Sequence, residues 1–296
     1  MLNKFDSAGR WVVGTDGSLR ADKAVMWAAK HASERKVPVP LLIIHVIQES
    51  PLPSAAAQDV INDELGHKDA VRLQAERLVQ DVAARVHESY PDLVIETAVV
   101  RGQPEVVLAA AGADADQVVV GGSADHVVAN AQGTVAVVPE HVEDRPEGPV
   151  VLGLDDSKEG RLAIARAFQA ASLRGVPLIA MPAWEQSARG ESPSGRRDES
   201  AIEGAQRLIA DKVAEFPEVP VTVEAPSGRP EDGLTEASRT AGMVVIGSRG
   251  RAGFTGLRLG AATRHVLQNS YSPVVVTRGY AGWQDQTGRG LPVAAH

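Results

Sequence analysis

Apolar residues along the chain fall into two alternating patterns. Short unbroken apolar runs recur, separated by longer stretches with apolar residues three or four positions apart. The first pattern fits a strand buried on both faces, and the second fits an amphipathic helix. Arg10–Thr15 is such a run, and Leu19–Arg35 follows it with Ala21, Ala24, Val25, Ala28 and Ala32 at helical spacing. Val39–Val46 predicts a second strand and His67–Ser89 a long helix. Leu93–Val100, Gln117–Gly121 and Thr134–Val138 complete five strands, with a further helix over Gln103–Gly112. The second half predicts strands at Pro149–Leu154, Pro177–Ala183, Pro220–Ala225, Met243–Gly247 and Ser272–Thr277. Its helices are predicted over Glu159–Arg174, Ser200–Glu215, Pro230–Ala241 and Leu259–Asn269. Such alternation implies open parallel α/β sheets with right-handed crossovers. Ligands of these sheets sit beyond the carboxyl ends of the strands, where the strand order reverses. Glu185–Ser200 and Gly279–His296 lack apolar periodicity and read as a mobile loop and a tail.

The elements repeat because the sequence repeats. Trp11-Val12-Val13-Gly14-Thr15-Asp16-Gly17-Ser18 matches Val150-Val151-Leu152-Gly153-Leu154-Asp155-Asp156-Ser157, with the two aspartates 139 positions apart. Arg101-Gly102-Gln103-Pro104-Glu105 matches Ser227-Gly228-Arg229-Pro230-Glu231 at an offset of 126, and Val118–Gly121 matches Val244–Gly247 at the same offset. His126-Val127 matches His265-Val266, again at 139. Matching anchors in one order indicate a tandem pair of homologous domains. The expected boundaries are 1–142 and 149–278, with a polar linker over Glu143–Pro149 and a tail over 279–296. The offsets place 13 extra residues early in the first half and 13 late in the second, between Gly247 and His265. The last strand of each half is an edge candidate, suited to pairing across the two domains. The pair of domains would then act as an internal pseudo-dimer.

Composition narrows the chemistry. Lysine and arginine number 30 against 38 acidic residues, a net charge of −8, which argues against general nucleic-acid binding. There is no cysteine, so a disulfide scaffold, a cysteine-ligated zinc site, an iron–sulfur cluster and a cysteine nucleophile are excluded. No run is long enough for a transmembrane span and no signal peptide is recognisable, so a cytoplasmic, membrane-free protein is expected. The eight histidines are scattered and no HExxH occurs, which gives no pattern for a metal site. G-x-S-x-G is absent as well.

One segment concentrates candidate chemistry. Gly247-Ser248-Arg249-Gly250-Arg251-Ala252-Gly253 continues through Gly256 and Gly260 into Ala261, Ala262 and Thr263. It leaves a predicted strand and enters a predicted helix. Glycines let backbone N–H groups approach an anion, and a helix start adds unsatisfied donors and a favourable dipole. The segment therefore reads as an anion cradle or as a glycine-rich surface loop. It is no Walker loop, since Gly-Lys occurs nowhere, and no Rossmann fingerprint, which belongs after the first strand. The segment Gly14-Thr15-Asp16-Gly17-Ser18 does not meet the SGGxDS signature of adenylating ligases. Asp16 and Asp155 read as carboxylates for ribose hydroxyls or as helix caps, with Ser18 and Ser157 the better caps.

These residues carry a resemblance. Gly247, Gly250 and Gly260 meet the spacing G-x2-G-x9-G, Asp155 and Asp16 each stand just after a first strand, and Tyr271-Ser272-Pro273 precedes the final strand. The chain resembles the universal stress protein family in its two-domain form, over nearly all of both halves. The resemblance implies two Rossmann-like, doubly wound five-stranded domains of the α/β class. It implies a regulatory protein that binds ATP, with magnesium as an optional companion, or another adenine nucleotide. Asp155 would contact adenine or ribose, and Ala183 (Val46 in the first half) would lie against the base. The residues Gly247, Arg249, Gly250, Gly260, Ala261 and Ala262 would hold the phosphates. Two departures bear on this. Ala261 stands where the family has Ser or Thr, a hydroxyl that Thr263 is placed to replace. In the first half Gly121-Gly122-Ser123-Ala124-Asp125 replaces the whole glycine loop, and Asp125 brings a negative charge. The second domain is therefore expected to bind nucleotide and the first is not. At most slow ATP hydrolysis is expected, for want of a general base or metal ligand set. A stress-response scaffold that binds no nucleotide is the alternative, and a homodimer is compatible with either.

Overall fold

A computed structural model describes residues 7–48, 61–122, 124–183, 195–226, 228–249 and 259–279. The first half runs β1 (Trp11–Gly14), α1 (Leu19–Ser33), β2 (Leu41–Gln48), α2 (Ile61–Ser89), β3 (Ile95–Gly102), α3 (Pro104–Ala111), β4 (Gln117–Gly121), α4 (Asp125–Asn130) and β5 (Val135–Val138). The second runs β6 (Val150–Leu154), α5 (Lys158–Arg174), β7 (Leu178–Pro182), α6 (Gly195–Glu215), β8 (Val221–Val223), α7 (Pro230–Ala237), β9 (Met243–Gly247), α8 (Ala261–Asn269) and β10 (Val274–Thr277).

Every predicted strand is present, α4 is a short helix the apolar spacing did not indicate, and the other differences lie at the ends. Two helices begin earlier than apolar spacing indicates. α2 starts at Ile61 and α6 at Gly195, inside the stretch read as a loop. Helix formers such as Glu64, Leu65 and Glu199 extend a helix without an apolar stripe. α7 stops at Ala237, short of Ala241. There Ser238 Oγ donates to Thr235 O at 2.6 Å and Thr240 Oγ1 to Ala237 O at 3.4 Å, local bonds that compete with helical ones. Most of the expected loop, 185–194, and nearly all of the expected tail, 280–296, lie outside the described residues.

The ten strands form one sheet in the order β3-β2-β1-β4-β5-β10-β9-β6-β7-β8. Each half is parallel within itself, and the second half repeats the strand order of the first in reverse. The halves meet at β5 and β10, which pair antiparallel with Ala136 opposite Val275. The two expected open sheets are therefore fused through their last strands. Both strands are buried along their whole length, which explains why they read as Val-Ala-Val-Val and Val-Val-Val-Thr with no alternation.

One apolar core lies on each face of the sheet. Trp11, Val13, Ile43, Leu152 and Val245 pack under α1, α2, α5 and α6. Val12, Ile44, Val120, Val244 and Ile246 pack under α3, α4, α7 and α8. Both cores draw on both halves, so the seam is continuous with the interior. In each half the strand order reverses between the first and fourth strands, β1 beside β4 and β6 beside β9. That is where a doubly wound sheet opens a crevice.

Candidate functional site

The second-half crevice is built around the start of α5. Ser157 caps this helix, its Oγ accepting from Gly160 N at 2.9 Å. Ser18 does the same for α1, accepting from Ala21 N. The cap role thus belongs to the serines. The aspartates sit two residues earlier, and each holds its serine: Asp155 Oδ1 accepts from Ser157 N at 2.7 Å and Asp16 Oδ1 from Ser18 N at 2.9 Å.

The two aspartates differ in environment. Asp155 is 6% exposed, whereas Asp16 is exposed. Burial pushes the Asp155 carboxyl above its ordinary value, and the bonds from Ser157 only partly offset this. Burial acts in the same direction on Asp16, but Ser18 and Arg20 outweigh it and hold that carboxyl below its ordinary value.

Around Asp155 the chain is tightly packed. A Cβ on Gly160 would stand 2.3 Å from Asp155 Oδ1. A Cβ on Gly247, at the end of β9, would stand 3.1 Å from the backbone of Glu159 and Gly160. Gly121, the first-half counterpart of Gly247, approaches Arg20 O even more closely, at 2.4 Å. Packing of the fourth strand against the helix therefore leaves no room for a Cβ at Gly121 and little at Gly247, so the half without a glycine loop needs its glycine the more. Gly260 is different. Its Cβ would find its nearest neighbour, Ser248 O, at an ordinary 3.5 Å. Nothing in the described fold requires glycine there.

Gly260 occupies the cap position of α8 with extended backbone (φ −67°, ψ 152°) and offers no side-chain cap. Its N–H donates to Ser248 O at 2.9 Å, which fastens the helix start beside the end of β9. The first helical bond runs from Arg264 N to Gly260 O. The N–H groups of Ala261, Ala262 and Thr263 therefore begin the helix without intrahelical acceptors. Ala261 is exposed and Ala262 partly so. Thr263 does not supply the hydroxyl missing at Ala261. Its side chain is buried and donates to Gly247 O at 2.9 Å.

The other predicted site residues flank this helix start. Ala183 follows β7, part-exposed, its N–H on Leu154 O at 2.8 Å. Arg249 pairs with Glu159, Nη2 to Oε1 at 2.8 Å, and its carbonyl accepts from Ser157 Oγ at 3.1 Å. Asp155, Gly247, Arg249, Gly260, Ala261 and Ala262 are thus linked through Ser157, Glu159, Gly160 and Ser248. Gly250 lies outside the described residues. Glu159 was not legible as a site residue, although the repeat held a signal: its counterpart 139 positions earlier is Arg20, of opposite charge.

In the first half, α4 has six residues against nine in α8, and it starts where the fourth residue of α8 would lie. The deletion removed one turn as well as the loop. A cleft of about 410 Å³ remains at this crevice, lined by Asp16, Arg20, Val46, Glu105, Gly121 and His126 among others. Asp125 accepts from Gln268 Nε2 at 3.0 Å, tying α4 to α8 across the seam.

Among the described residues no helix is long and apolar enough to cross a membrane, and no three His, Asp or Glu residues cluster as a metal site.

Comparison with known proteins agrees with this architecture. The sequence profile of the universal stress protein family matches residues 9–139 and 148–278. A universal stress protein of Mycobacterium tuberculosis is 34% identical over 290 residues, covering 90% of this chain and 96% of the relative. One from Mycolicibacterium smegmatis is 32% identical over 291 residues, with the same coverage. The crystal structure of a universal stress protein from Archaeoglobus fulgidus superposes with a TM-score of 0.67 at 20% identity, covering 93% of this chain and 99% of that one. The chain therefore belongs to the universal stress protein family and carries two copies of its domain.

Proposed function

We propose that this protein is a nucleotide-responsive regulator that binds an adenine nucleotide, ATP by preference, in its second half alone. The observation that carries the reading is the start of α8. Three N–H groups without intrahelical acceptors open from an uncapped glycine that packing does not require. Such a start favours an anion through both its donors and its dipole. Asp155, just after β6, would accept from ribose hydroxyls, and Ala183, just after β7, would offer an apolar surface to a base. Any magnesium would arrive with the phosphates. The first half keeps a crevice but has lost the loop and the first turn of its last helix. Its cleft does not hold a nucleotide in the same way.

Isothermal titration tests this on protein stripped of co-purified nucleotide. Wild type binds ATP, and Gly260→Val, whose new side chain projects from the helix start, loses at least about tenfold in affinity. No heat at millimolar ATP would overturn the proposal.

Ala261 favours a second reading, an interaction module that binds no nucleotide. The family's hydroxyl is missing there, and Thr263 is already committed to Gly247. Light scattering after size exclusion separates the two readings. An assembly state that responds to ATP favours the first, and an unresponsive assembly together with a silent titration favours the second.

A further inference from the structure

A cavity of about 50 Å³ lies between α1 and α5, over the middle of the sheet. A single water needs roughly 10–15 Å³, so this space holds several waters or one small polyatomic ion. It is far below the hundreds of cubic ångströms of a nucleotide-sized pocket.

Its lining combines residues from both halves. Trp11 and Gln117, register partners on β1 and β4, belong to the sheet side. Arg35, just past α1, and Arg166 and Arg174 of α5 belong to the helix side. Arg35 and Arg174 are counterparts in the internal repeat, 139 positions apart, so the cavity straddles the pseudo-twofold relation between the halves.

The polar lining consists mostly of donors. Arginine and the tryptophan indole carry N–H donors and no acceptor. Trp11 Nε1, Gln117 Nε2 and Arg174 Nη1 are buried and find no acceptor among the described residues. Trp11 and Gln117 are each 4% exposed. Arg174 Nη2 donates to Arg145 O and Pro146 O. Arg166 Nη2 donates to Asp116 O at 3.0 Å. Burial first, and then Arg35, pull the Arg166 guanidinium down to about 10, so it stays charged at neutral pH. Glu34 is the single acidic residue among the described residues of the lining, and Asp116 and Asp144 act from outside it. Buried donors left without acceptors cost free energy, and crowded guanidiniums add repulsion. An acceptor carrying negative charge relieves both, whereas a cation or a donor ligand relieves neither.

We propose that this cavity binds a small tetrahedral oxyanion of the phosphate class, held by Arg35 and Arg166 with Trp11 and Gln117 as neutral donors. The site is separate from the α8 start and does not depend on the nucleotide reading. Bound there, the anion ties α1 of one half to α5 of the other.

Inorganic phosphate is the probe, and thermal unfolding of the full chain is the readout, against sodium chloride at matched ionic strength. The melting temperature of wild type rises with the logarithm of phosphate concentration. In Gly260→Val, which alters the other anion-binding candidate, the rise persists. In Arg166→Met the apparent phosphate affinity falls about tenfold or more. Arg35→Gln provides the same test if the first variant does not fold. Crystals soaked in arsenate give a direct check, an anomalous arsenic peak between Arg35 and Arg166. The proposal is overturned by a flat wild-type response, by an undiminished response in the variants that do fold, by loss of the response in Gly260→Val, or by a cavity with water and no arsenic peak.

Discussion

Arg20 and Glu159 occupy equivalent positions in the two halves and carry opposite charges. Arg20 reaches back to Asp16 at 3.5 Å, on an exposed surface. Glu159 is held under the end of β9 by Arg249 at 2.8 Å, with its side chain 10% exposed. The half with the glycine loop thus has a carboxylate that anchors the first residues of that loop, and the half without it has a cation facing an open cleft. Arg249→Met strands the Glu159 carboxylate. The cost expected in urea unfolding is about 2 kcal/mol, below the roughly 3–5 kcal/mol of a fully buried pair because Arg249 is a third exposed. Glu159→Gln keeps an acceptor for Arg249 and costs less.

Gly121 and Gly260 separate packing from binding. A methyl on Gly121 meets Arg20 backbone at 2.4 Å, so Gly121→Ala is expected to lose about 1–3 kcal/mol although no ligand is involved. Gly260→Ala meets nothing closer than 3.5 Å and loses no more than about 1 kcal/mol, the cost of a poorer cap. Denaturant midpoints of the two variants, measured without nucleotide, decide this.

Asp155→Asn trades binding for stability. The folded protein raises the pKa of this carboxyl above 3.8, chiefly by burial, so folding favours its protonated form. That contribution is complete below the unfolded value and is lost as pH rises through the folded one. At neutral pH the charge therefore burdens the fold. Asparagine keeps an acceptor for Ser157 N and removes the charge. The variant should melt higher than wild type at pH 7, with the gain fading toward pH 4, while its affinity for ATP falls.

His31 gives the opposite dependence. Burial lowers it from 6.5 to about 4, with Arg174 and Lys30 acting in the same direction against the bond to Trp27 O. The unfolded chain takes up this proton first. The stability is full above pH 6.5 and falls as pH drops toward 4, by about 3 kcal/mol over that window. His31→Leu should flatten this part of the pH–stability curve.

The strands were legible because a sheet buried on both faces writes continuous apolar runs, as in Val118–Val120 and Val244–Ile246, whereas their order in the sheet is set by which runs pair. Pairing of the last strands was legible for the same reason, since Val135–Val138 has no polar face to show to water. Helix starts at Ile61 and Gly195 were not, because the residues there carry no apolar stripe in the sequence. In the site, the spacing of Gly247 and Gly260 could be read, but their different causes could not. Only the fold shows that Gly247 yields to the backbone of Glu159 while Gly260 yields to nothing. The commitment of Thr263 to Gly247 O, and the pairing of Arg249 with Glu159, depend on which groups the crevice brings together.

The antiparallel junction of β5 with β10 also sets a timetable. The residues that close the sheet, Val274–Thr277, are made 139 positions after Val135–Val138. At roughly 5–20 residues per second on the ribosome, the first half waits about 7–28 s with Val135-Ala136-Val137-Val138 as an open edge. An edge of that composition invites any other strand. Until the last strand emerges, the backbone groups of Val135–Val138 on that side have no partner strand within the chain.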